Sequence, residues 1–292
     1  MSSLRKKLYF KTQHFLMDHF HKQYADKMWK DWKGYKIDWD NPRDLNEKIQ
    51  WLMCKSDTSA WTPLSDKLKV RDYLTAKGYG SLLVPLLGTW KRSADIPWDS
   101  LPQKFVLKCN HDNGSTHIIE PGSDREAVGK ALDKALRRKY GYWSCELHYN
   151  GIDPCIIAEE FIESDDAVPV DYKVWCFGGK PYYILTCSKR NAVSTKLSLF
   201  DTDWNPRPDA TLESPHYPYG GPDIPKPEML PQMLEAAAAL SQGFPQVRTD
   251  FYNPGAGRLY FGEMTFSSAA GRMTYYSDAF LKEMGNLVEL PR

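Results

Sequence analysis

The sequence predicts an α+β fold, helices first and antiparallel hairpins after. Three observations carry this. The first stretch, about sixty residues long, has helical rather than strand periodicity. Residues 171–190 and 246–271 read as hairpins closed by glycine turns. Residues 104–119 and 155–164 hold short apolar runs of the kind buried strands show. A chain of 292 residues can build one large domain or two smaller ones with a substantial core. A net charge of +1 gives no case for a nucleic-acid partner.

Residues 4–33 form a helical region with Leu8, Phe15, Phe20 and Met28 as a partial apolar stripe. Residues 1–36 hold nine Lys or Arg, among them Arg5, Lys6 and Lys7, against three Asp, so this segment carries +6 and the remainder −5. A basic aromatic helix of this kind either lies on an anionic membrane surface or packs on the body with its charges in water. Asn41–Asp44 is a turn. Leu45–Lys55 is a short helix capped near Asp44, with Glu47 three residues on. Residues 65–79 read as one further helix, capped by Ser65 or Asp66 and stopped by Gly78 and Gly80. Lys67 in its first turn is badly placed for the helix dipole, as a cation waiting for an anion would be.

Residues 104–119 are strand–loop–strand. Lys108 leaves the strand, and Asn113-Gly114-Ser115-Thr116 makes a short loop whose backbone N–H groups can approach phosphate. Residues 124–140 are a basic amphipathic helix. Pro154 opens a buried strand that ends in Glu159 and Glu160. Residues 171–190 turn at Gly178-Gly179, and period-2 alternation puts Asp171 and Lys173 on one face. Asp201-Thr202-Asp203 is the DxD triplet that many glycosyltransferases use, though Trp204-Asn205-Pro206 gives it the look of a turn. Residues 205–227, rich in Pro and Gly, read as a lid or an acceptor-binding loop. Residues 227–243 are a helix stopped by Gly243.

The hairpin at 246–271 carries the densest chemistry. Asn253–Gly257 makes its turn, setting Asp250 on the outgoing strand against Glu263 on the return. Two acids on neighbouring strands can hold a hard divalent cation through oxygen, and Mg²⁺ with nucleotide phosphates suits the pair. Arg248 alternates onto the Asp250 face, where a cation stabilises a transferring phosphoryl group.

The patterns L-N-E-K-I-Q-W-L, S-D-K-L-K-V-R, K-F-V-L-K-C-N-H, I-I-A-E-E-F, D-Y-K-V-W-C-F-G-G-K-P and V-R-T-D-F-Y-N…Y-F-G-E-M-T-F run in order from about residue 45 to residue 290. Together they resemble the TupA-like ATP-grasp family. That resemblance implies an ATP-grasp fold of two α+β subdomains clasping ATP. A helical N-terminal region would span 1–64, a subdomain with the phosphate loop 65–162, and a subdomain with the metal hairpin 163–292. It implies ATP and Mg²⁺ as cofactors, with Asp250 and Glu263 on the metal and Arg248 and Lys173 in catalysis. Lys67, Lys108, Asn113, Gly114 and Ser115 would hold phosphates, Asp171 the ribose, and the strand end Glu159, Glu160 and Ile162 the adenine. Ser267 and Ser268 follow the Glu263 strand, where related ligases bind their second substrate. Thr265 departs from the pattern, since the family often has Asn there as a metal ligand.

The activity implied is amide-bond formation in bacterial cell-surface polysaccharide or capsule biosynthesis. A sugar carboxylate such as a uronic acid would join an amine or amino acid through an acyl phosphate, with ADP and phosphate as products. Two alternatives stay open: a sugar kinase on the same site, and a glycosyltransferase using Asp201 and Asp203. Six cysteines with no CxxC pair and no zinc spacing suit reduced, buried thiols and a cytoplasmic location, with peripheral contact at the inner membrane face through the basic helix.

Overall fold

The computed structural model describes residues 3–164 and 169–291, so the far ends of the expected domains lie outside it. The side chains of Arg5, Lys6 and Lys7 also lie outside the described residues. Two helices open the chain, α1 (Ser3–His19) and α2 (His21–Lys33), and Gly34 ends α2 at φ +83° with its N–H on the Lys30 carbonyl. The stripe expected from sequence is not the packed face. Leu8, Phe15 and Phe20 are exposed, whereas Met17, Ala25 and Trp29 are buried. His14 stacks on Tyr142 at 3.9 Å, and the Tyr142 hydroxyl donates to Asp18 at 2.6 Å, so the C-terminal half of α1 is the tethered half.

Helix α3 (Leu45–Lys55) starts as its sequence dictates: the Asp44 carboxylate accepts from the Glu47 N–H at 2.9 Å, and Glu47 reaches back to the Arg43 N–H at 2.9 Å. A separate short helix, α4 (Trp61–Ser65), precedes the helix expected over 65–79, which forms only as α5 (Val70–Ala76). Tertiary hydrogen bonds delay its start. Asp66 accepts from the Leu68 N–H and from Asn110 Nδ2, both at 2.8 Å, while the Lys67 N–H donates to the Asn110 carbonyl at 3.1 Å. Lys67 therefore sits in a loop pinned to the phosphate-loop region, not in a helical first turn.

The smaller sheet holds β1 (Leu86–Trp90), β2 (Phe105–Cys109), β3 (His117–Ile119) and β4 (Ile156–Glu160), antiparallel in the order β1-β4-β2-β3. Helix α6 (Arg125–Leu136) covers it, burying Leu132 and Ala135 against Phe105, Leu107, Ile156 and Ala158.

The larger sheet is built from β5 (Asp171–Phe177), β6 (Lys180–Ser188), β7 (Lys196–Asp201), β8 (Gln246–Gly255) and β9 (Arg258–Thr265), antiparallel in the order β7-β6-β5-β8-β9. With α3 and α5, two more helices, α7 (Leu230–Leu240) and α8 (Asp278–Asn286), share its core: Leu45, Ile49, Leu74, Met233 and Phe280 pack with Val174, Ile184 and Phe251. One set of side chains on this sheet is thus committed to helices, and the alternate set, including Asp171 and Lys173, is left to face the smaller sheet.

The β8–β9 turn is tighter than the five residues expected. Strand β8 runs through Gly255, and Ala256 and Gly257, both at positive φ, make a two-residue turn. Residues 205–227 are not a free lid. The Leu197 N–H donates to the Pro218 carbonyl at 3.0 Å and the Thr195 N–H to the His216 carbonyl at 3.0 Å, lacing the segment along the outer edge of β7.

Candidate active site

A cleft of about 850 Å³ opens between the two sheets, within the range of small-molecule sites. From the larger sheet it is lined by Asp171, Lys173, Arg248, Asp250 and Glu263, and from the smaller by Lys108 and Glu159. Lys67, Asn113, Glu160 and Ile162 also line it. Residues spread over nearly two hundred positions of sequence converge because strand register brings them together: Lys173 pairs with Asp250, and Asp250 with Glu263.

Asp250 is the hub. It is 2% exposed and accepts from Arg248 Nε at 2.7 Å, Arg248 Nη2 at 2.8 Å and Lys173 Nζ at 2.5 Å. Lys173 also lies 2.6 Å from Asp171. Arg248 Nη2 reaches Glu263 at 3.2 Å and the Thr265 hydroxyl at 3.1 Å, and that hydroxyl donates to Glu263 at 3.0 Å. Thr265 thus orients Arg248 and Glu263. Lys67 Nζ donates to the Asp112 carbonyl at 2.7 Å and stands 4.0 Å from Glu263. Burial works against a charge on Glu263, but Lys67, Lys173 and Arg248 outweigh it and hold its pKa at about 2. Burial likewise opposes the Lys173 charge, and Asp171 and Asp250 overcome it, raising that pKa above the usual lysine range. Burial pushes the Asp250 carboxyl upward against the pull of Arg248 and Lys173.

The residues fit a nucleotide with a divalent cation. Among the described residues five cationic side chains line the cleft, Lys67, Lys108, Lys173, Arg190 and Arg248, and the side chain of Glu263 keeps 38% exposure. Asp171 Oδ1 is buried with no hydrogen-bond partner among the described residues, an acceptor that a ribose hydroxyl would satisfy. Among the described residues no group of three or more His, Cys, Asp or Glu converges as a metal centre. A cation at Asp250 and Glu263 would therefore complete its shell from phosphate oxygens and water, as Mg²⁺ commonly does.

Other expected residues sit differently. Ser115 is buried, and its hydroxyl accepts from the Cys109 N–H at 2.9 Å and donates to Asp112. It pins the loop, and does not line the cleft. Gly114 bends that loop at φ +93°, a conformation that suits glycine. Glu159 is taken up by Lys108 at 2.5 Å and Arg71 at 3.5 Å. Glu160 and Ile162 line the cleft, and the Glu160 N–H donates to the Pro85 carbonyl at 3.0 Å. Ser267 turns away, donating to buried Glu146 at 2.5 Å, and Ser268 accepts from Arg248 Nη1 at 3.2 Å. Both serines are buried and do not line the cleft, whereas Ala269 does. Asp201 and Asp203 do not line the cleft. Asp201 accepts from the Asp203 and Asn205 N–H groups at 2.9 and 2.8 Å, the turn that Trp204-Asn205-Pro206 implies.

Sequence reading missed Tyr252, Arg190 and Tyr275, all cleft-lining. Tyr252 was within reach, since it is two residues past Asp250 on the same strand. The position of Tyr275 depends on a loop with Ala269 and Ala270 at φ +48° and +51°, which no periodicity announces.

The family model described as TupA-like ATPgrasp matches residues 47–289. No curated protein matches the chain. Among solved structures, the D-alanine–D-alanine ligase of Bacillus anthracis complexed with ATP is similar at 14% identity and TM-score 0.40, over 76% of this chain and 55% of that one. The L-amino acid ligase of Bacillus licheniformis is similar at 15% identity and TM-score 0.46, over 77% and 49%. The biotin carboxylase of Campylobacter jejuni is similar at 14% identity and TM-score 0.45, over 81% and 49%. The chain spans about half the length of these proteins.

Proposed function

Since this chain belongs to the TupA-like ATP-grasp family, we propose that it is an ATP-dependent carboxylate–amine ligase of bacterial cell-surface polysaccharide biosynthesis. On this reading it joins an amine or amino acid to a sugar carboxylate, a uronic acid. The observation that carries the proposal is the in-register Asp250–Glu263 pair with Arg248 between them, in one cleft with Lys67, Lys108 and Lys173. Residues 65–162 and 163–292 act as the two subdomains of the clasp, and residues 1–64 as a helical flank.

In the first step a carboxylate oxygen bonds to the γ-phosphorus of ATP, the bond to the β-phosphate oxygen breaks, and ADP leaves. In the second the amine nitrogen bonds to the acyl carbon, the carbon–oxygen bond breaks, and phosphate leaves with the surplus proton. Neither step needs a covalent enzyme intermediate; both need alignment and charge neutralisation. Lys67, Lys108 and Lys173 hold the phosphate charge. Arg248 faces the phosphoryl group and the oxyanion formed on amine attack. Asp250 and Glu263 would hold Mg²⁺, which when bound neutralises phosphate charge.

The test is a trap. With ATP and uronate but no amine, hydroxylamine should intercept the acyl phosphate as a hydroxamate, read by mass. A phosphorylated sugar that resists hydroxylamine would mean that a hydroxyl had been phosphorylated, and the kinase alternative would replace the ligase.

We also propose that α1 rests on the inner face of the cell membrane. It exposes Leu8, Tyr9, Phe10 and Phe15 on a segment of net positive charge. Among the described residues no helix is long and apolar enough to cross a membrane. The protein should co-sediment with vesicles containing anionic lipid, less so as salt rises, and deletion of residues 1–20 should release it. Equal sedimentation of the deleted form would end the idea.

A further inference from the structure

Part of the cleft lining is not assigned above to phosphate, metal or ribose. Its wall is made by two segments far apart in the chain, His216-Tyr217 on the laced strap and Tyr275 beyond the left-handed loop. These segments are locked together: the Leu212 N–H donates to the Tyr275 carbonyl at 2.9 Å, and Thr211 bridges Tyr276. The rings of Tyr217 and Tyr275 meet edge to face at 5.2 Å, and His216 meets Tyr217 at 4.4 Å. His216 Nδ1 lies 2.9 Å from the Val193 carbonyl. A carbonyl oxygen can only accept, so Nδ1 carries a proton.

We propose that Tyr217, Tyr275 and His216 form the subsite for the sugar ring of a carboxylated pyranose, with its carboxylate directed to Arg248. The proposal rests on the ligase reading above and names where its acid substrate binds. Each part matches a part of such a ligand. Tyrosine rings offer an apolar face to the C–H face of a pyranose and a hydroxyl at the rim. His216 Nε2 is a hydrogen-bond partner for a ring hydroxyl. Arg248 and Tyr275 line the same cleft, so the cation of the phosphoryl site shares it with the platform. An aliphatic amino acid would use the cation and leave the two tyrosine rings without a ligand face.

The experiment reads binding, not turnover. D-glucuronate is titrated into the full chain held with a non-hydrolysable ATP analogue and Mg²⁺, followed by ligand-observed NMR, with D-glucose in parallel. Glucuronate should bind, and Tyr217→Ala should weaken it by at least about tenfold. Tyr217→Phe should recover most of the loss, and the affinity for the analogue should stay within about twofold. Glucose should bind more weakly than glucuronate, for want of the carboxylate. The subsite is overturned if Tyr217→Ala binds glucuronate as well as the wild type does, if it loses analogue and glucuronate together, or if the wild type binds no glucuronate. A protein that binds glucuronate through Tyr217 yet forms no hydroxamate keeps the subsite and sinks the ligase. A ligase whose response to glucuronate ignores Tyr217 does the reverse.

Discussion

Glu263→Gln should lower ATP turnover by about a hundredfold to a thousandfold with little change in melting temperature. Glutamine can still accept from Arg248 and Thr265, but an amide cannot neutralise a divalent cation as a carboxylate does. Glu263 faces the cleft with its side chain 38% exposed, so the exchange strands little buried charge. Asp250→Asn should be as inactive and also destabilised, by about 3–5 kcal/mol, because Arg248 and Lys173 both lose a buried partner. The two variants together therefore separate chemistry from fold. Release of ADP and thermal melting are the measurements, and near-normal turnover in Glu263→Gln would make the hairpin structural. Asp201→Asn should keep its rate, since Asp201 serves a turn; under the glycosyltransferase alternative it would be the inactive variant. With its pKa held at about 2, below the unfolded value near 4.3, Glu263 lends stability that is present above that unfolded value and is lost as pH falls toward 2. Any acid limb in activity near neutral pH must come from another group.

Arg248→Lys should lower the rate about a hundredfold or more while leaving ATP affinity within a few fold. Arg248 places its guanidinium between Asp250, Glu263, Thr265 and Ser268, five hydrogen bonds that fix its plane in the cleft. An ammonium keeps the charge and loses that planar, multi-point placement. On the proposed ligase reading the charges Arg248 faces grow in the transition state, so its removal should fall on rate more than on binding. Lys67→Ala and Lys108→Ala should behave oppositely and weaken ATP binding. Single-turnover rates set beside nucleotide titrations distinguish the two patterns. A matched loss of ATP affinity in Arg248→Lys would return Arg248 to the phosphate-binding set.

Much of the site was legible because its chemistry follows strand periodicity. Arg248 and Asp250 share a face by alternation, and the glycine-bearing turn after Asp250 returns the chain so that Glu263 pairs with it. Lys173 and Asp171 alternate in the same way on β5. The late start of α5, after Asp66–Lys69, was not legible, because hydrogen bonds to the Asn110 side chain and carbonyl, over forty residues away, overrode a helical pattern that is locally sound. Ser115, Ser267 and Ser268 look from sequence like ligand contacts, but each hydroxyl is bound within the protein.

Local periodicity and turn chemistry determined, from the sequence by itself, that this is an α+β chain with an acidic, arginine-bearing hairpin and a phosphate-type loop. Only the tertiary structure decided which of those groups share a cleft, which are paired to one another, and that Tyr217 and Tyr275 meet. The physical reason is range. Alternation and capping act over a few residues, whereas these contacts depend on sheet register, on a laced strap, and on a loop held in left-handed backbone, none of which leaves a periodic trace in the chain.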